Sequence, residues 1–129
     1  MNNGTFYAVG VGPGDPELLT RKACRILGNC PVIAAPRTAS GEMLALDIAK
    51  GAVDLTGKEI LPLEFAMARQ ISARQTGYRK AAEQIAAVLE SGRDVAMVNL
   101  GDVSIFATAY YIFAELRNDG FEAVMAPGV

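Results

Sequence analysis

Apolar residues along this chain fall into short continuous runs that alternate with stretches of helical spacing. Thr5 to Gly12 is a short apolar run and predicts an opening strand. Asp15-Pro16-Glu17 then carries the signals of a helix start: a capping carboxylate, proline in the first turn, and a second carboxylate near the positive end of the dipole. Leu19, Ala23, Ile26 and Leu27 follow on one helical face, and Gly28-Asn29 predicts the stop. Pro31 to Ala35 reads as a second strand halted by Pro36. Met43 to Lys50 reads as a helix, with Leu44, Ile48 and, beyond it, Leu55 as the residues that would point inward. Glu59 to Leu63 is a strand whose internal Pro62 predicts an edge position.

Ala66 to Gly77 has little apolar rhythm and predicts a loop or frayed helix start. A helix is expected from about Thr76 to Ser91, with Ala82, Ile85, Ala86 and Leu89 on one face. Asp94 to Leu100 is almost continuously apolar, as a central parallel strand covered on both faces would be. Ser104 to Asn118 predicts a helix, closed by Asp119-Gly120, and Phe121 to Ala126 a last strand. Strand and helix alternate throughout. The fold class is therefore α/β, with an open, mainly parallel five-stranded sheet, helices on both faces and right-handed crossovers.

Composition narrows the function. A length of 129 residues, 51% of them apolar, fits one domain, and the net charge of −2 offers no basic surface for nucleic acid. No apolar run approaches the ~20 residues of a membrane helix. The start, Met1-Asn2-Asn3-Gly4, lacks the charged and apolar regions of a signal peptide, so a cytoplasmic location is expected. Histidine is absent, which removes Ser-His and Cys-His catalysis. Cys24 and Cys30 alone are too few for a zinc site and read as reduced, partly buried thiols. Chemistry here rests on positioning, carboxylates, backbone dipoles or a cofactor. Pro127-Gly128-Val129 resembles a turn leading out of a strand, so the chain reads as the front part of a longer protein.

Two glycine turns, Gly10 to Asp15 and Gly101 to Ser104, follow strands and open helices. They sit where open α/β sheets bind ligands. The first turn departs from a dinucleotide fingerprint, because Asp15 stands where its third glycine would be and Pro13 removes a donor. It also lacks the Gly-Lys-Ser/Thr ending of a P-loop. Asp15 is expected to be a helix cap. Asp102, at the tip of the most apolar strand, reads either as a cap or as a carboxylate facing a polar or cationic ligand. Ser104 reads as a helix cap, since no base is present to activate it.

Tyr7 to Thr20, with its Gly10-Val11-Gly12-Pro13-Gly14-Asp15-Pro16-Glu17 core, resembles the opening motif of the tetrapyrrole (corrin and porphyrin) methylases. Leu100-Gly101-Asp102-Val103-Ser104-Ile105-Phe106 resembles their second motif, with Val103 in place of the usual proline, and Ala126-Pro127-Gly128-Val129 the start of their third. The resemblance covers nearly the whole chain but only the N-terminal half of that family's proteins. It implies two α/β domains, S-adenosyl-L-methionine in the cleft between them, a tetrapyrrole substrate and a homodimer.

By resemblance, Pro13, Leu100, Gly101, Asp102, Val103, Ile105 and Phe106 bind the cofactor. Gly12, Gly14, Arg37, Arg69 and Arg74, with Arg79 as a further candidate, face a substrate rich in carboxylates. No catalytic or metal-binding residue is expected, because the substrate supplies the nucleophile. The stretch Leu61 to Met67 most resembles the branch that methylates precorrin-2 at C20 in cobalamin biosynthesis. Another corrin carbon, uroporphyrinogen, a non-tetrapyrrole target, and a non-catalytic nucleotide-binding or assembly module remain the alternatives. The 129 residues alone are expected to be inactive without a second domain.

Overall fold

The computed structural model describes residues 3–11, 15–37, 41–64, 71–99 and 103–126, with the side chains of residues 18, 71–76 and 103–108 outside that description. Five strands form one parallel sheet: β1 (Phe6–Gly10), β2 (Val32–Arg37), β3 (Glu59–Glu64), β4 (Val95–Asn99) and β5 (Ala123–Ala126), in the order β3-β2-β4-β1-β5. The helices among the described residues are α1 (Arg21–Asn29), α2 (Leu44–Ala52), α3 (Ile71–Glu90) and α4 (Val103–Asn118).

Strand order explains which face each helix takes. From β1 to β2 to β3 the chain moves toward one edge of the sheet, and from β3 to β4 to β5 it moves back toward the other. Crossovers of one hand must then place their helices on opposite faces in the two halves. Accordingly Ala23, Ile26 and Leu27 of α1 and Ala45, Leu46 and Ala49 of α2 pack with Val9, Ile33, Ala35, Ala96 and Val98. On the other face Ala82, Ile85 and Leu89 of α3 and Ile112 and Leu116 of α4 pack with Phe6, Ala8, Val32, Val95 and Met97. The alternation along β4 feeds both layers, which is why all five of its residues are buried. Each fully buried Leu, Ile or Phe contributes about 1.5–3 kcal/mol. Gly92 and Gly120, both at positive φ, close α3 and α4 and turn the chain into β4 and β5.

The edge expectation for the proline-bearing strand holds: among the described residues β3 pairs with β2 alone. Several boundaries differ from the sequence reading. Asp15 caps only a 3-10 turn, Pro16–Leu18, by accepting from the Glu17 N–H at 3.0 Å. Leu19 is extended and breaks the helical path, and α1 starts afresh with Thr20 Oγ1 accepting from the Ala23 N–H at 3.1 Å. β2 is not halted by Pro36 but runs to Arg37. Its pairing with β4 ends at Ala34–Met97, so the missing proline N–H falls where only the β3 side is still paired.

In α2 the buried residues are Ala45, Leu46 and Ala49, and Ile48 packs partly buried against the same core, as does the buried Leu55 beyond the helix, while Leu44 points out at 49% exposure. Of the three residues expected inward, Leu44 alone departs, because the two alanines take the centre of the buried face. α3 begins at Ile71, so part of the expected loop is helical; residues 65–70 lie outside the described residues. α4 begins at Val103, which puts Ser104 inside the first turn rather than at the cap. Among the described residues no helix is long and apolar enough to cross a membrane.

Candidate functional site

β1 and β4 are the neighbours that matter. Their register sets Gly10 opposite Asn99, so both strands end at the same level of the carboxyl edge. Beyond Gly10 the chain leads to α1 on one face, and beyond Asn99 it leads to α4 on the other. Adjacent strands whose exits diverge to opposite faces leave a crevice between them, the topological switch point of an open α/β sheet. The two glycine turns singled out in the sequence follow these two strand ends.

The strand ends are cross-linked. The Val11 N–H donates to the Asn99 main-chain oxygen at 2.8 Å. The Asn99 side-chain amide donates to Val9 O at 3.3 Å and to Met97 O at 2.9 Å. Both partners are carbonyls, which fixes the nitrogen side of the amide. Asn99 is only 3% exposed, and its Oδ1 is buried without a hydrogen-bond partner among the described residues. Sequence reasoning missed this residue. The available signal was one polar side chain closing an otherwise apolar run, because a buried amide must find partners.

Arg37 reaches the same edge at the end of β2, where it forms an ion pair with Glu64 at the end of β3; the two residues are opposite each other in register. The pair is open to solvent, with Glu64 71% exposed, so it is worth ~0–1 kcal/mol. Arg74 lies near the start of α3, the helix end that follows β3, and Val103, Ile105 and Phe106 lie in the first turn of α4; the side chains of all four are outside the described residues. Arg79 is an exposed residue farther along α3. Gly12, Pro13, Gly14, Arg69, Leu100, Gly101 and Asp102 lie outside the described residues. Asp15 is a structural cap, as expected.

The cysteines sit elsewhere. Cys30 is buried, and Cys24 is partly buried. Burial first, and the Asp94 carboxylate second, push the Cys30 thiol up to about 12, so it is no nucleophile at neutral pH. The same two causes raise the Tyr7 phenol. These groups line an open groove of about 180 Å³ with Lys22, Arg25, Ile26, Asn29 and Asp94. Tyr7 and Asp94 stand near the starts of β1 and β4, so the groove opens at the amino edge, away from the crevice.

The family model of the Tetrapyrrole (Corrin/Porphyrin) Methylases matches residues 5–129. The chain is 32% identical over 117 residues to the cobalt-precorrin-2 C(20)-methyltransferase of Salmonella typhimurium, covering 88% of this chain and 48% of that protein. It is 28% identical over 131 residues to the S-adenosyl-L-methionine-dependent uroporphyrinogen III methyltransferase of Arabidopsis thaliana chloroplasts, covering 98% of this chain and 31% of that one. Its fold superposes on the crystal structure of uroporphyrin-III-C-methyltransferase from Thermus thermophilus with a TM-score of 0.70, at 26% identity, covering 98% of this chain and 48% of the other. The chain thus spans half or less of the length of these relatives. With its parallel sheet, its divergent exits from β1 and β4 and a match from residue 5 to residue 129, the chain belongs to the tetrapyrrole (corrin/porphyrin) methylases.

Proposed function

We propose that the protein to which this chain belongs is an S-adenosylmethionine-dependent C-methyltransferase of cobalamin biosynthesis, with precorrin-2 as substrate and C20 as the methylated carbon. The observation that carries this reading is the similarity to a cobalt-precorrin-2 C(20)-methyltransferase over 88% of the chain, on a sheet whose switch point lies between β1 and β4. The residues present fit such a cofactor. Two strand ends meet at a divergent crevice, and a buried polar atom, Asn99 Oδ1, is left with an acceptor to offer.

The cofactor supplies an electrophilic sulfonium methyl, and the tetrapyrrole supplies an electron-rich carbon. The protein's work is therefore orientation and exclusion of water. The ends of β1 and β4 form one wall. Pro13, Leu100, Gly101, Asp102, Val103, Ile105 and Phe106 would hold the cofactor there, with Asp102 positioning it. Gly12 and Gly14 would admit the substrate closely. Arg37, Arg69 and Arg74 would take its carboxylates, Arg37 exchanging Glu64 for a substrate oxygen. A second α/β domain would supply the opposite wall, and the full protein would act as a cytoplasmic homodimer.

Calorimetry of the natural full-length protein with S-adenosylhomocysteine tests the cofactor, and methyl transfer to precorrin-2 tests the substrate. Micromolar binding lost on Asp102→Ala, with a C20-methylated product, is expected. Tight binding of NAD or ATP in place of S-adenosylhomocysteine would overturn the reading.

A further inference from the structure

Asn99 is an anomaly within its own strand. It ends a run of five buried residues and is the single buried polar side chain among the described residues. A strand end that needed only apolar cover would hold valine there, since Val95 and Met97 already line the same face of β4. The chain instead retains an amide whose two halves are treated differently. Its nitrogen is fully used, donating to one carbonyl on β1 and one on β4. Its oxygen has no partner among the described residues.

The two donated bonds fix which branch of the amide carries the oxygen. Met97 O belongs to the residue two positions earlier on the same strand, and Val9 O to the residue before Gly10, the register partner of Asn99. Both carbonyls therefore lie behind Asn99 along the strands. With the nitrogen turned back toward them, the oxygen is on the other branch of the amide, at the level where both strands end. The two donated bonds also prevent the amide from flipping, because a flip would set Oδ1 against two carbonyl oxygens. A buried acceptor held in one orientation at a switch point is costly unless something donates to it.

We propose that Asn99 is a cofactor-binding residue whose Oδ1 accepts a hydrogen bond from an N–H or O–H group of the bound S-adenosyl ligand, an inference that rests on the methyltransferase reading above. The ligand offers three kinds of donor: the adenine amine, the ribose hydroxyls and the ammonium of its amino-acid end. Asn99 thus has two tasks. Its nitrogen ties β1 to β4, and its oxygen recognises what lies between their exits.

The test is a binding cycle on the natural full-length protein. S-adenosylhomocysteine is compared with S-inosylhomocysteine, with its 2′-deoxy and 3′-deoxy forms, and with the form lacking the α-amino group. Wild type and Asn99→Val are measured by calorimetry, with melting temperatures as a check on folding. Asn99→Thr is the second variant: it keeps a hydroxyl donor for a strand carbonyl and removes the amide oxygen. Wild type is expected to bind one donor-deleted form roughly tenfold more weakly, the worth of one good buried hydrogen bond. Both variants are expected to bind that form and the parent equally. A purely structural asparagine would weaken all ligands alike. Variants that keep the wild-type preference for every donor, or bind S-adenosylhomocysteine as wild type does, would overturn the inference and leave the methyltransferase reading intact. Failure of wild type to bind S-adenosylhomocysteine would overturn both.

Discussion

Gly4 precedes β1 and lies hard against the Arg93–Asp94 main chain. A Cβ built there would stand 2.0 Å from Arg93 O, 2.4 Å from Arg93 C and 2.9 Å from Asp94 N. All three are main-chain atoms, so no side chain can swing away. Ordinary contact begins near 3.4 Å, and Gly4→Ala must therefore push two backbone segments apart by about 1.4 Å. The Gly4 N–H donates to Leu89 O at 2.8 Å, and a shift of that size breaks the bond if it falls along it. Loss of the bond costs ~1 kcal/mol, and the overpacking ~1–3 kcal/mol more. We expect a destabilisation of about 2–4 kcal/mol, a fall in Tm on the order of ten degrees. Gly28→Ala is the internal control. Gly28 is exposed in α1, and nothing lies within 4 Å of the place its Cβ would take, so the same substitution should stabilise by ~0.5–1 kcal/mol. Urea and thermal unfolding of both variants give the answer. Gly4→Ala within about 0.5 kcal/mol of wild type, or a less stable Gly28→Ala, would refute the argument.

Three further outcomes are expected. Lys58 Nζ donates to Gly28 O at 2.9 Å and Cys30 O at 2.8 Å at the carboxyl end of α1, so Lys58→Met should cost about 1 kcal/mol in urea unfolding, and more at low salt than at high salt. Cys30 holds its proton in the folded state up to about 12, above the unfolded thiol near ~8.5. Its contribution is intact below the unfolded value and declines as pH rises from there toward the folded one. The alkaline fall in Tm should therefore be shallower in Cys30→Ala, and iodoacetamide should label Cys24 first in native protein. Arg37→Ala should raise KM for the tetrapyrrole several-fold and leave S-adenosylhomocysteine affinity unchanged, while Glu64→Gln should lower that KM; parallel loss of both constants would assign Arg37 to the fold instead.

What could be read from the sequence depended on whether a residue's role was local. The unbroken apolar run of β4 declared a strand covered on both faces, and Pro62 declared an edge, because each follows from the strand's own hydrogen-bond and burial needs. Thr20 was hidden because Asp15-Pro16-Glu17 displays the signals of a helix start, and a 3-10 turn uses the same ones. Pro36 misled because its tolerance depends on where the neighbouring β4 stops pairing, which lies some sixty residues away in sequence. The candidate site divides the same way. Arg37 was visible as a cation following the second predicted strand, whereas most of the two glycine-rich segments lies outside the described residues. The Glu64 partner of Arg37 and the hydrogen bond from the Asn99 amide to Val9 O come from register, which no local pattern encodes.

The place of β1 in the sheet also governs the order of assembly. Phe6 pairs with Val95 and Ala123, so the first of these strands to leave the ribosome must wait for the fourth and fifth before it has a neighbour. Only β2 and β3 can pair early. Until β4 arrives, Phe6, Ala8 and Val9 are an unpaired apolar segment exposed to wrong partners, and closing so long a loop slows folding. The bond from Val11 to Asn99 forms only after that closure. Under the proposed function, ligand binding at these strand ends would report completed folding, and a nascent chain stalled before Val95 should leave its first strand open to proteolysis and fail to bind.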